Sequence, residues 1–293
     1  MPPRIHDRSE VRRIRERAHR LAKPGCDFLL DIALQELSDR LSVVQRHFGF
    51  ALDLSGHGIR SIEMLNQAEN VERIISMHPS CPDLDRKSKL YFTGDEEAIA
   101  ISLQSMDLVF SALNLQWVND LPGTLLQIRQ ILRPDGLFLA ALPGGQTLTE
   151  LRQCFAEAES EILGGIFPHI SPMLDIRDAG ALLQRAGFAL PVVDQDLLTV
   201  RYDTMFALVA DLRAMGATNT LVGKSTQSIR RDVAKLAAEI YQTRFSDTDG
   251  RIRASFQILW LCGWAPHASQ QKPLQPGSAE ISLSQIFKNK NDD

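Results

Sequence analysis

Phe50-Ala-Leu-Asp53-Leu-Ser55-Gly56-His57-Gly58-Ile59 is an apolar run that ends on an acid and passes into a short glycine-containing turn. Such a run, followed by a helix, reads as the first strand–turn–helix unit of an open α/β sheet. The turn is the place where a nucleotide-like ligand meets that sheet. Downstream, short apolar runs alternate with helical stretches, and strands are expected near 50–54, 73–77, 89–93, 107–112 and 136–142. Alternation of this kind argues for a parallel sheet covered by helices on both faces, with right-handed crossovers.

Upstream, Leu30, Leu34, Leu37, Leu41 and Val44 recur at helical spacing, and Pro24-Gly25 divides residues 7–47 into two helices that end at Phe48-Gly49. Further along, a helix from Leu121 to Leu132 is expected to stop at Arg133-Pro-Asp-Gly136. Thr147-Leu-Thr-Glu150 has the capping-box pattern and opens a helix to about Leu163. A helix over 175–187, closed by Gly187, leads into a strand at 190–201, and the last strand lies near 253–262. Between these two strands, residues 203–246 are helical with a break at Met215-Gly216, an insertion placed to roof the ligand edge of the sheet. The expected organisation is an N-terminal helical segment (1–48), a sheet domain (49–268) and a polar tail (269–293).

Bulk properties exclude several classes. A net charge of −4 over 293 residues gives no reason to expect nucleic-acid binding. Four scattered cysteines form no CxxC pair, so neither a zinc site nor a disulfide framework is indicated, and a cytoplasmic location fits. The longest apolar run, Ile258–Trp264, is far short of the ~20 residues of a membrane-spanning helix. The Arg-rich N-terminus also carries Asp7, Glu10 and Glu16 and no apolar stretch follows it, so it reads as a solvated helix face and not as a secretory signal.

Several segments stand in the order of a known family: Ala51–Leu54, Gly94-Asp-Glu-Glu97, Met106–Val109, Asn114-Leu-Gln-Trp-Val-Asn-Asp-Leu121 and Ile131–Gly136. They resemble class I S-adenosylmethionine-dependent methyltransferases of the BioC-like group. Gly144–Arg152, Pro168-His-Ile-Ser-Pro172, Arg185–Phe188, Asp211–Gly216, Gly263-Trp264, His267–Gln270 and Pro276-Gly-Ser278 sharpen the likeness to the family of the mitochondrial complex I assembly factor 5 and its bacterial relatives. The resemblance implies a seven-stranded doubly wound sheet with the last strand antiparallel. It implies S-adenosylmethionine across the ends of the first, second and fourth strands, with Asp53, Ser55, Gly56, His57 and Gly58 around the methionine end. His78 would stand at the ribose, Asp95 and Glu96 near the adenine, and Ser111 near the sulfonium. Trp117, His169 and His267 are candidate substrate contacts, and no metal site is expected. The implied partner is a subunit of respiratory complex I.

Two positions depart from the family pattern. Ser55 and Ile59 fall where the turn has glycines, with Gly56 and Gly58 displaced from those places. His78 stands where a ribose-binding carboxylate is usual, and an imidazole accepts one hydrogen bond there where a carboxylate accepts two. Loss of one charge-assisted bond costs roughly 1.5–3 kcal/mol, so weakened cofactor binding is expected. The residues therefore leave three readings open: a methyltransferase, an arginine hydroxylase of complex I assembly, and a non-catalytic assembly partner. An NAD-binding enzyme would need Gly-x-Gly-x-x-Gly after the first strand, which is absent.

Overall fold

The computed structural model describes residues 4–21, 25–57, 59–79, 90–224 and 229–271. Gly58, Cys81, most of the polar tail and the Pro276–Ser278 segment lie outside the described residues. Seven strands form one sheet: β1 Phe48–Asp53, β2 Val71–His78, β3 Tyr91–Thr93, β4 Met106–Ala112, β5 Leu132–Pro143, β6 Ala189–Tyr202 and β7 Ile252–Trp264. Their order is β3-β2-β1-β4-β5-β7-β6. β1 to β5 pair parallel, and β7 pairs antiparallel with both β5 and β6. The order reverses between β1 and β4, so a crevice opens outside their carboxyl ends.

Helices cover both faces. On one side α2 (Phe28–Ser42) and α3 (Ile59–Gln67) bury Leu30, Leu34, Leu37, Leu41 and Leu65 against Ala51, Leu108 and Leu139 of the sheet. On the other, α4 (Leu121–Ile131) and α6 (Ile176–Arg185) bury Leu125, Ile128, Ala179 and Leu183 against Val109, Phe138 and Leu261. The caps are local. Asp120 accepts from Gly123 N ahead of α4, Asp175 accepts from Arg177 N ahead of α6, and Gly187 takes φ +82° just beyond α6. A third apolar cluster joins α5 (Thr149–Leu163), α7 (Met205–Ala214) and α8 (Arg231–Phe245) to Ala254 and Phe256 of β7. The remaining helix, α1 (Arg8–Leu21), precedes α2 and lies against α7.

Local expectations fail where a tertiary partner competes. The Thr147–Glu150 pattern closes no capping box. Leu148 occupies the N-cap with φ +56°. Thr147 Oγ1 instead donates to Gln257 O and accepts from Gln257 N, both at 3.0 Å. Glu150 accepts from Ser255 N at 3.1 Å and from Ser255 Oγ at 2.5 Å. The same side chains that would cap α5 locally thus pin it to β7. α4 ends at Ile131, and Arg133–Gly136 run inside β5 with Asp135 at φ +64°, beside a register shift opposite Met106 and Leu108. β1 begins at Phe48, two residues before the expected strand, because Phe48 is buried among Leu37, Leu41 and Leu65.

Phe138 is fully buried and stacks on Phe188, with ring centroids 5.4 Å apart. Phe138→Ala is expected to lower the free energy of urea unfolding by about 3–5 kcal/mol. Leu126, 45% exposed on α4, is the internal control, and Leu126→Ala should stay within about 0.5 kcal/mol of wild type.

Candidate functional site

The crevice is built from the end of β1. Asp53 is fully buried, and its carboxylate is satisfied by three donors: Oδ1 accepts from Ser55 N (2.9 Å), and Oδ2 from Ser61 Oγ (2.8 Å) and Ser76 Oγ (2.9 Å). Burial of a carboxylate is tolerable only with such partners. They tie the turn to α3 and to β2. Ser55 continues the chain of contacts, its Oγ accepting from Ala112 N at the end of β4 (2.9 Å). The turn is made at Gly56, with φ +62°, and Ser55 is not among the positive-φ residues. Moving the left-handed position from Ser55 to Gly56 puts it on a residue that has no Cβ.

At the end of β2, Ser76 Oγ–H is committed to Asp53, so His78 Nε2 is the donor in its 2.8 Å bond to Ser76 Oγ. His78 Nδ1 is then a bare acceptor, buried without a hydrogen-bond partner among the described residues. Ser111 Oγ, on β4, is the same kind of orphan. Burial pushes the His78 pKa down, which keeps the ring neutral.

Asp95 and Glu96 follow β3. Glu96 is buried and accepts from Asn114 Nδ2 (2.7 Å), and that nitrogen also donates to Leu54 O at 2.5 Å. Arg8 of α1 bonds to Glu96, reaches Asp95 Oδ1 at 3.1 Å and donates to Trp117 O at 3.0 Å. Two turns further along the same face, Arg15 donates to Ser55 O (3.1 Å), to Gly56 O (2.8 Å) and to Asn114 Oδ1.

Beside this crevice lies a cavity of about 380 Å³. Arg15, His57, Leu113, Trp117, His169 and Gln257 line it, with Leu212, Met215 and Thr218 from the insertion on its wall. His57 Nε2 donates to Leu113 O (3.1 Å), and burial together with the Arg15 charge takes its pKa down to about 3. His169 Nε2 bonds Glu159 Oε1 at 2.6 Å, and the buried Glu159 also accepts from Phe167 N at 2.8 Å. Two lining leucines, Leu113 and Leu148, hold positive φ (+47° and +56°). Each is fixed by a backbone bond, Leu113 N to Ala141 O (2.9 Å) and Leu148 N to Ser255 O (2.7 Å). Non-glycine residues in this region carry strain that only a surrounding framework sustains.

A family description for a methyltransferase domain matches residues 52–140. Arginine-hydroxylase NDUFAF5, mitochondrial, of Danio rerio is 39% identical over 97% of this chain and 90% of its own length. The Homo sapiens protein of that name is 38% identical over 98% of this chain and 84% of its own. This chain belongs to the arginine-hydroxylase NDUFAF5 family. A malonyl-[acyl-carrier protein] O-methyltransferase of Xylella fastidiosa is 35% identical over 80% of the chain and 78% of its own length. Among solved structures, a methyltransferase-titled crystal structure from Bacillus halodurans has a TM-score of 0.54 at 13% identity, covering 80% of this chain and 99% of that one, a likeness of fold.

In this family member, Asp53, Ser55, Gly56, His57, His78, Asp95, Glu96 and Ser111 gather at the carboxyl ends of the parallel strands. Trp117 and His169 line the adjoining cavity. His267 does not join them. It is exposed beyond β7, whose last residue Trp264 pairs with Leu137 at the opposite end of β5, and its Nδ1 is taken by Ser269 (2.6 Å). The antiparallel run of β7 carries His267 to the far edge of the sheet, away from the other candidates.

The sequence reading missed Arg8 and Arg15. Arg12, Arg13, Arg17 and Arg20 are exposed, as a solvated face requires, but Arg8 and Arg15 turn inward. Their seven-residue spacing puts both on one side of α1, a signal that was available in the sequence.

His57 sets a pH dependence. Unfolded, its imidazole binds a proton near pH 6.5; folded, it does so only near pH 3. The unfolded chain therefore binds more protons between those values, so stability is complete above about pH 6.5 and falls as the solution is acidified toward pH 3. His6 and His78 shift in the same direction. Urea midpoints measured from pH 7.5 to 4.5 are expected to decline for wild type and to decline less steeply for His57→Gln.

Proposed function

We propose that this chain is an S-adenosylmethionine-dependent enzyme. The cofactor would lie across the ends of β1, β2 and β4, and the acceptor would enter the cavity walled by residues 203–246. What carries the reading is the pair of orphaned polar atoms, His78 Nδ1 and Ser111 Oγ, at the ends of β2 and β4 around the crevice. Buried polar groups need partners, and these two fit a ribose hydroxyl and the polar tail of such a cofactor. His78 Nδ1 accepts one hydroxyl, Asp95 and Glu96 stand for the adenine amino group, and the Ser55–His57 turn faces the methionine end. When bound, the group supplies an electrophilic methyl. The protein's own part is to align the acceptor and exclude water.

A second reading has a specific support. The vertebrate arginine-hydroxylase relatives align over 96–98% of the chain, against 80% for the Xylella fastidiosa O-methyltransferase. On that reading the acceptor is an arginine of a respiratory complex I subunit, the cavity holds its side chain, and the chain serves complex I assembly. A non-catalytic assembly partner is the limiting case, in which Arg8 keeps Asp95 and Glu96 occupied. We place the protein in the cytoplasm. The scattered cysteines of the sequence, with no CxxC pair, support this. Among the described residues no helix is long and apolar enough to cross a membrane.

Calorimetric titration with S-adenosylmethionine tests the cofactor, and Asp95→Ala is expected to weaken binding about tenfold or more. An unchanged titration in that variant removes Asp95 from the site. Intact masses of the partner subunit from wild-type and deletion cells then separate the chemistries. A methyl-sized gain supports the first reading, an oxygen-sized gain the second, and no gain the non-catalytic one.

A further inference from the structure

Arg15 stands apart from the other inward-turned arginine. Arg8 ends on carboxylates, whereas Arg15 donates to Ser55 O, Gly56 O and Asn114 Oδ1, all neutral acceptors. Three of its five donors are spent in this way, leaving Nε–H and one Nη1–H. The guanidinium lies on the very turn that replaces the family's glycine corner, and Arg15 also lines the cavity. A Cβ added at Gly56 would come within 3.0 Å of Arg15 Nη2, so the absence of a side chain at Gly56 is what admits the guanidinium.

The helix that carries Arg15 is held from above. A Cβ on Gly216 would lie 3.1 Å from Ala18 Cβ and 3.6 Å from Arg15 Cα, a close approach of α1 to the break after α7. Lys224 Nζ bonds Glu10 Oε1 at 2.9 Å, and His6 Nδ1 meets Thr220 Oγ1 at 2.8 Å. Arg15 is therefore a cation set in place by the insertion, beside backbone of the first turn, with no carboxylate among the described residues bonded to it. Burial lowers its pKa to about 10, with the nearby Glu96 charge opposing the shift and the Arg8 charge adding to it. A buried charge that is bonded only to neutral groups is costly, and each unspent N–H of the guanidinium can give a charge-assisted hydrogen bond to a carboxylate oxygen.

We propose that Arg15 is the anchor for the α-carboxylate of the cofactor's amino-acid end, supplying from α1 the binding that the altered glycine turn has lost. The proposal rests on the cofactor reading given above. It adds that affinity for the amino-acid end depends on the N-terminal helix, and that α1 and residues 216–224 close over that end as one unit.

The test compares two ligands by calorimetry on the full chain. S-adenosylhomocysteine has the carboxylate; 5′-methylthioadenosine has the same nucleoside and sulfur without it. Arg15→Gln is expected to lose at least about tenfold in affinity for S-adenosylhomocysteine while its affinity for methylthioadenosine stays within about twofold of wild type. Arg15→Lys, which keeps the charge, should fall between wild type and Arg15→Gln for S-adenosylhomocysteine, and it carries the test if Arg15→Gln does not fold. Equal losses for both ligands, or no loss for either, overturn the anchor while leaving the cofactor reading intact. A wild-type protein that binds neither ligand overturns the cofactor reading and the anchor with it.

Discussion

A buried carboxylate must find donors, and Asp53 finds three on three different elements. Its bond to Ser55 N shapes the first turn, its bond to Ser61 Oγ seats the start of α3, and its bond to Ser76 Oγ locks the end of β2. The consequences spread outward. Because Ser76 gives its hydrogen to Asp53, His78 must donate from Nε2 and present Nδ1 bare. Because Ser55 is held at its backbone, its hydroxyl is free to receive Ala112 N, which binds the β1 turn to β4 across the point where the strand order reverses. A loss of Asp53 would release the corner on which every proposed cofactor contact depends.

Charge distribution builds the next layer. Glu96 is buried between Arg8 and Asn114, and Asn114 in turn bridges Leu54 O, Glu96 and Arg15. A single amide thereby links the first strand, the acid after the third and the N-terminal helix. Asn119 extends the same logic by accepting from Ile5 N and His6 N, each at 2.7 Å, so the segment before α1 is sewn to the loop after β4. These bonds are what turn an arginine-rich terminus into a wall of the site.

The cavity shows a second principle, that strain collects where a framework can hold it. Leu113 and Leu148 adopt left-handed backbone at the ends of β4 and the start of α5, each fixed by a bond to a neighbouring strand. The Glu159–His169 pair faces them from α5 and the loop beyond it, with the imidazole oriented by a carboxylate that is itself satisfied by Phe167 N. With His57 held by Leu113 O, the chamber carries two oriented polar rings in a largely apolar wall, which suits a site that selects an acceptor by shape and a few polar contacts.

The seven strands, their alternation with helices, the split before Gly25 and the break at Gly216 were legible because period, apolar runs and glycine or proline punctuation are local properties of the chain. So was the cluster of Asp53, His78, Asp95 and Ser111, since strand ends in this topology converge on one edge. Other features depended on partners far away along the chain. Thr147 and Glu150 read as a helix cap but pair with Gln257 and Ser255. His267 matched a family segment, yet the antiparallel course of β7 sends it to the wrong edge. Arg8 and Arg15 looked like solvated charge and became walls of the crevice. The sequence by itself determined which elements form and the edge where their ends gather. Only the tertiary structure decided which polar group meets which, because a hydrogen bond or ion pair is set by distance in space and not along the chain.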